Sequence, residues 1–488
     1  MRDRRRRRLS AWAGALIFLV SGSRLAGAQD HICLQPSGAL ATNSRGGVSA
    51  TLLPPPPAVG RYAFTNVTVL PMDSDRVLPA QTVLVDGGRI AAIGPGRTLR
   101  VPADAVVIEG DGRWLMPGLV DAHTHERALP DWPDDVAGNL VMYLANGVTS
   151  IFNMGDFTGD MIGARDAVKA GSLAGPTIYV GHFVRGPSDG GTESTTVTGA
   201  QAARDLVRRA KAEGYDFLKV YDGVPAAAYD ALVAEGEAAG LPVTGHGIRA
   251  LGLPYTLTHG QVMVAHASYF SALFPTAAEG DVSSVSRMVA SSGVAVTATL
   301  FVQELIAGLG LDALAGRDPW TRVITQEGVE YMDERALEAW VRMFRFRADI
   351  RAPGDARPEL AFMQRYTKAF ADAGVPILAG ADTIGIPGVV PGFSLHGEIR
   401  LLQAAGLTPE QTLAAATRNP GAFARRHLRS AEPFGVVEAG ARADLLLLDS
   451  DPRDDLSVLR RASGVMAGGR WYPRESLSAQ LDLLRRSR

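Results

Sequence analysis

A chain of 488 residues, 46% of them hydrophobic and 20% charged, is too long for one small domain and suits a large domain with a smaller companion. Its formal net charge of -2 supplies no long-range field toward nucleic acid or acidic lipid. The single cysteine, Cys33, excludes an intrachain disulfide, so the core must hold the fold.

In chain order, residues 1–28 read as a signal peptide. Arg2 and Arg4 through Arg8 precede an apolar run from Trp12 to Val20, and Ala26-Gly27-Ala28 offers small residues for cleavage. That run is shorter than the roughly 20 residues a membrane span needs. Cleavage near Ala28 predicts a periplasmic or secreted protein with no stable membrane span; an uncleaved anchor helix is the alternative. Residues 29–58, which are polar and rich in Gly, Pro and Ser, predict a surface arm or linker. Short strand candidates follow at Phe64–Val69, Thr82–Val85 and Arg89–Ile93, with Asp86-Gly87-Gly88 as a hairpin turn. Ala443–Asp449 and Gly464–Arg470 have the same character. Segments 59–115 and 433–475 therefore predict one small composite β domain, sandwich-like, with residues 116–432 inserted and 476–488 left as a C-terminal tail.

The inserted region alternates apolar runs with helical stretches. Strand ends fall near His123, Asn153, Val180, Lys219, His246, His266, Thr299 and Asp382. Gln201–Glu213, Pro225–Ala239, Ser284–Ser291 and Leu395–Ala405 read as helices between them. Eight strands with helical intervals predict an α/β fold, a (β/α)8 TIM-like barrel. The interval 300–375 is far longer than the others. Its Trp320, Tyr331, Trp340, Phe344 and Phe346 predict added helices, serving either as a crossover or as a cover over the barrel mouth.

Five of these segments end in residues able to hold a metal. Their distance in sequence is no obstacle, because a barrel gathers strand ends at one rim. His123 and His125 are one residue apart in a strand, so both imidazoles can face the same side. Neutral imidazole suits zinc and similar divalent ions. Lys219, His246, His266 and Asp382 end further strands.

The run Pro117-Gly118-Leu119-Val120-Asp121-Ala122-His123-Thr124-His125 resembles the metal-dependent amidohydrolase superfamily, in particular its exported branch of imidazolonepropionase-like and Xaa-Pro dipeptidase-like members. The resemblance spans roughly Tyr62 to Gly469. It also rests on Phe217-Leu218-Lys219-Val220-Tyr221, Gly245-His246-Gly247, Gly380-Ala381-Asp382-Thr383, Thr417-Arg418-Asn419-Pro420 and the return from Gly435 to Leu445. It implies one metal on His123, His125 and Asp382 and a second on His246 and His266. An N-carboxylated Lys219 would bridge them, since a carbamate is an anion with two oxygens. A single metal and a plain salt-bridging lysine are the alternatives. His259 competes with His266, but 12 residues after His246 leave little room for a helix and a return strand, whereas 19 suffice. His266 is the choice, although the glutamate common before this ligand is replaced by Ala265.

This constellation predicts metal-dependent hydrolysis of an amide or peptide C–N bond by metal-activated water. Asp382 would act as general base and then acid. Tyr221 and Tyr269 are candidate donors to the developing oxyanion, and His182 and Arg185 are further candidates for substrate contact. The substrate would be a small amide, peptide or lactone. A lactonase or esterase on the same barrel, a noncatalytic metal-containing binding protein and a structural scaffold are the competing readings. The Gly-rich stretch 185–196 lacks the phosphate-loop spacing, and no nucleic-acid stripe is seen. The resemblance also implies a homo-oligomer.

Overall fold

The computed structural model describes residues 53–486, apart from 127, 130–131, 134–135, 157, 188–194, 274–278, 348–352 and 429–431. The expected signal peptide and most of the expected arm lie outside the described residues. Among the described residues, no helix is long and apolar enough to cross a membrane.

Eight parallel strands form the barrel wall: Leu119–Thr124, Val148–Asp156, Thr177–Arg185, Phe217–Val220, Val243–Gly245, Gln261–Ala265, Ala295–Thr297 and Ile377–Leu378. Each pairs with the next in chain order. The last meets the first through Ala122 N to Ala379 O and Asp382 N to His123 O, both 2.8 Å. Helices such as Ala200–Glu213, Ala226–Ala239 and Phe393–Ala404 alternate with the strands. They cover the apolar outer faces of the strands, as an all-parallel sheet requires. Inside the barrel, Val120, Phe152, Met154, Tyr179, Phe217, Met263 and Leu378 form the lower packing layers.

The lower barrel is tied to the segment returning to the second sheet. Arg442, buried on that segment, donates to Ser150 Oγ at 2.5 Å and Tyr179 Oη at 3.2 Å, and is paired with Asp444 at 2.6 Å. A buried charge persists only when paired and hydrogen-bonded in this way. The opposite rim, at the C-terminal strand ends, is where barrel enzymes place their chemistry.

The second sheet has eight strands drawn from both ends of the chain. Tyr62–Val69 pairs antiparallel with Leu78–Asp86, which turns at Gly87-Gly88 into Arg89–Pro95. On its other edge Tyr62–Val69 pairs first with Val106–Glu109 and then with Trp114–Pro117. Leu445–Leu448 joins Trp114–Pro117, and Gly464–Ala467 and Arg470–Pro473 complete the sheet. Phe64, Val83, Val85, Leu115, Leu445, Leu447 and Met466 bury one shared apolar core, so the N- and C-terminal segments are held together by burial.

Two sequence expectations change. The segment after 475 is a helix, Arg474–Arg486, rather than a tail. Its Leu477, Gln480 and Leu484 are buried at three- and four-residue spacing, which gives it an inward stripe against Val136–Ala145. The third strand also runs on to Arg185 rather than ending at Val180. In the long interval, Arg357–Asp372 packs on Leu300–Leu314 and Glu279–Ser292, while Trp340 and Phe344 are buried in the main core. Glu334–Phe346, in the same interval, also packs on Trp132–Pro133, which follows the first barrel strand.

Candidate active site

Backbone pairing continues past the strand ends and fixes where the site residues stand. His246 N donates to Val220 O at 3.0 Å and His266 N to Thr297 O at 2.8 Å. Asp382 N donates to His123 O, and His125 N bonds Thr383 O. His266 and Asp382 turn away from the wall with φ of 67° and 62°, left-handed values uncommon for residues with a Cβ. Such backbone is retained where surrounding structure over-determines it, often at functional sites. Glycine permits the close approach behind the site: a Cβ on Gly380 would lie 2.7 Å from His123 Cβ.

The six side chains expected to hold metal converge on this rim. His123 Nε2 is 3.2 Å from His125 Nε2 and 3.5 Å from Lys219 Nζ. Asp382 Oδ1 is 3.2 Å from His125 Nε2 and 3.5 Å from His123 Nε2. His266 Nε2 is 3.2 Å from His246 Nε2. The rings of His123 and His266 stand 4.7 Å apart, which joins the two groups into one centre. Ligand atoms of His123, His266 and Asp382 alone lie within 4.8 Å of one another. His259 is elsewhere, exposed and stacked on Tyr255 at 3.7 Å.

Hydrogen bonding at the far ring nitrogens tests whether a cation fits. Thr299 Oγ1 donates to Ala298 O at 2.8 Å, so it accepts from His266 Nδ1 at 2.8 Å. Tyr269 Oη bonds His246 Nδ1. With both Nδ1 atoms engaged outward, the Nε2 lone pairs of His246 and His266 face each other at 3.2 Å. Two lone pairs at that distance repel unless a cation lies between them. The donor set therefore fits a divalent metal that accepts nitrogen and oxygen ligands.

Protonation follows from burial and neighbours. Burial, aided by Lys219 and the other imidazoles, holds His123 and His246 neutral, well below the ordinary histidine range. Burial pushes His266 down to about 4 and the Lys219 amine down to about 7, with Asp382 opposing both shifts. Burial also disfavours the Asp382 carboxylate, but its hydrogen bond with His125 and the nearby His266 and Lys219 hold it well below the usual range.

Other expected contacts divide. Arg185, 5% exposed, lies over the faces of Tyr221 at 5.0 Å and Phe183 at 5.2 Å, at the site end of its strand. Tyr221 packs its ring 3.8 Å from that of His246. His182 requires a correction as a candidate substrate contact. Strand alternation turns Phe183 and Arg185 toward the site and His182 toward the helical layer. There His182 bonds Thr195 at 3.1 Å and packs edge-on to Tyr215. Tyr269 also changes place: its hydroxyl is held on the far side of the His246 ring, by His246 Nδ1 and by Asp222 at 3.1 Å, rather than facing the space a substrate would enter.

Sequence reasoning passed over several supporting residues. Asp121 Oδ1 accepts from His123 N at 3.2 Å and Ala381 N at 3.0 Å, which ties the first strand to the last. Burial raises its carboxyl to about 8 against those two donors. Glu126 is buried and accepts from Tyr143 Oη at 2.7 Å and Asn139 Nδ2 at 2.8 Å. Asp121 stood inside the Pro117–His125 run and Thr299 at an expected strand end, but Asp222 carried no sequence signal.

The model of the amidohydrolase family matches residues 114–472, well over half of the chain. The chain belongs to the amidohydrolase family. Among solved structures, this family member is similar to a bottromycin amidohydrolase, at 24% identity and TM-score 0.65 over 87% of this chain and 90% of that one. A Xaa-Pro dipeptidase with bound methionine in its active site is similar at 19% identity and TM-score 0.63, over 85% and 100%. At these identities the likeness concerns the fold. In sequence, an adenine deaminase of Paracoccus denitrificans is 39% identical over 77 residues, 16% of this chain and only 12% of that protein. The curated relatives are thus matched over a small part of their length.

Proposed function

We propose that this family member is a metal-dependent hydrolase of small amide or peptide C–N bonds, acting outside the cytoplasm. His123, His125 and Asp382 would hold one divalent metal, zinc being the best suited, and His246 and His266 a second. Lys219 would lie between them as its carbamate; an amine held near 7 supplies the neutral form that reacts with carbon dioxide. When bound, the metal polarises the substrate carbonyl and makes water more acidic. Asp382 accepts a proton from the attacking water and delivers it to the leaving nitrogen. Tyr221 is the remaining candidate donor to the developing oxyanion. Arg185, whose planar fork matches a carboxylate, would orient a substrate acid group. The buried lower layers keep bulk water from below.

The observation that carries this reading is the convergence of four imidazoles, one lysine and one carboxylate from five strand ends. The bottromycin amidohydrolase and the Xaa-Pro dipeptidase support amide chemistry on this fold. The test is hydrolysis of a panel of dipeptides, acyl amino acids, esters and lactones before and after chelation. Amide cleavage should vanish on chelation and return with zinc. A chelation-insensitive rate, or turnover confined to lactones and esters, would overturn the proposal.

A further inference from the structure

Three loops of the rim meet behind His246, on the side away from the other site residues. Asp222 follows the fourth strand, Arg249 follows the fifth, and Tyr269 lies in the helix Ser268–Leu273 after the sixth. Asp222 Oδ2 accepts from Tyr269 Oη at 3.1 Å, and Tyr269 Oη bonds His246 Nδ1. The loop of Asp222 is itself fixed. Its Oδ1 accepts from Arg249 N at 3.2 Å, and the Arg249 guanidinium lies over the Tyr269 ring at 5.2 Å and 3.9 Å from Asp222 Oδ2.

A carboxylate only accepts hydrogen bonds, and a phenol has one proton to give. Tyr269 therefore donates to Asp222, and its oxygen lone pair accepts the proton on His246 Nδ1. That assignment leaves His246 Nε2 as a bare lone pair aimed at His266 Nε2. Outward partners of this kind fix tautomer and ring orientation in metal-binding histidines. Rings flank His246 on both sides: Tyr221 at 3.8 Å and Tyr269 at 4.7 Å between centroids. The imidazole can neither tilt freely nor choose its other tautomer.

We infer that Asp222 and Tyr269 form a carboxylate–phenol–imidazole chain that presents His246 Nε2 as a metal ligand, and that Tyr269 is a positioning residue rather than an oxyanion donor. This rests on the proposed metal-dependent reading. The chain differs from the direct Thr299 contact that orients His266. It couples the occupancy of one half of the centre to the joint placement of three loops.

The experiment measures zinc affinity by chelator competition, together with kcat at limiting and saturating zinc, for the full-length protein, Tyr269→Phe and Asp222→Ala. Tyr269→Phe keeps the ring and removes only the hydroxyl. The affinity for the zinc held by His246 should fall about 10- to 100-fold in both variants, and saturating zinc should restore most of kcat. Unchanged zinc affinity with a kcat loss that excess zinc does not rescue would overturn the inference and assign Tyr269 to the substrate. Unchanged affinity in both variants with unchanged kcat would overturn it as well. Failure of the wild-type protein itself to take up zinc would contradict the hydrolase proposal instead, so the two failures are distinguishable. In the metal-free protein, nitrogen-15 spectra of His246 should show the proton on Nδ1, and Tyr269→Phe should shift that tautomer population.

Discussion

Gly245→Ala is expected to damage this protein more than its size suggests. Gly245 ends the fifth barrel strand one residue before His246, with φ of 121°, a conformation that side-chain-bearing residues rarely adopt. A Cβ there would stand 2.2 Å from Val220 O and 2.8 Å from both Val220 N and Lys219 Cδ. The backbone atoms belong to the neighbouring strand and cannot move without disturbing the Val220–Gly245 register. Left-handed strain contributes about 1–3 kcal/mol, and forcing atoms into a packed core about 1–3 kcal/mol more. A loss of roughly 4–6 kcal/mol follows from adding the middle to upper parts of these ranges. Lys219 would also be pushed from its place beside His123. Urea denaturation of the metal-free protein and zinc titration measure the two effects. Gly247→Ala is the control, because its nearest neighbour would be Tyr269 Cδ1 at 3.7 Å, ordinary contact. A loss below about 1 kcal/mol for Gly245→Ala, indistinguishable from the control, would refute the packing argument.

Asp382→Asn should retain most of the bound metal and lower kcat by about 100- to 10,000-fold, the range for a lost general base; normal turnover in a clean preparation would reject its proton-transfer role. His266→Ala should lower metal content far more than His259→Ala, because only His266 faces the other ligands; metal analysis of both variants reads the ranking directly. His182→Gln should leave kcat/KM for amide substrates nearly unchanged but alter acid stability. Burial holds His182 down at about 4 in the folded state against 6.5 unfolded. The unfolded chain therefore takes up the proton first, and stability is lost as pH falls from 6.5 toward 4, by about 3 kcal/mol. Denaturation curves across that window should be flatter for the variant, and an unchanged pH dependence would contradict the burial argument.

The barrel was legible because its eight strands are short apolar runs ending in polar residues, as parallel strands buried on both faces require. The converging residues of the proposed ligand set were legible for the same reason: His123, Lys219, His246, His266 and Asp382 each stand at or just past such an end. His182 misled because the third strand runs to Arg185, and face assignment depends on register as well as proximity to an end. Arg474–Arg486 read as a tail because its charged residues mask a stripe as narrow as Leu477, Gln480 and Leu484. The contacts of Asp222, Tyr269 and Thr299 could not be read at all. They arise where loops from different strands meet, and neither periodicity nor spacing records such meetings.

Zinc-edge anomalous scattering from crystals of the zinc-loaded protein tests the central claim most directly. The account predicts a peak within bonding distance of His123, His125 and Asp382 and a second beside His246 and His266, with density extending from Lys219 Nζ between them. A map with zinc elsewhere on the chain and none at this rim would contradict it.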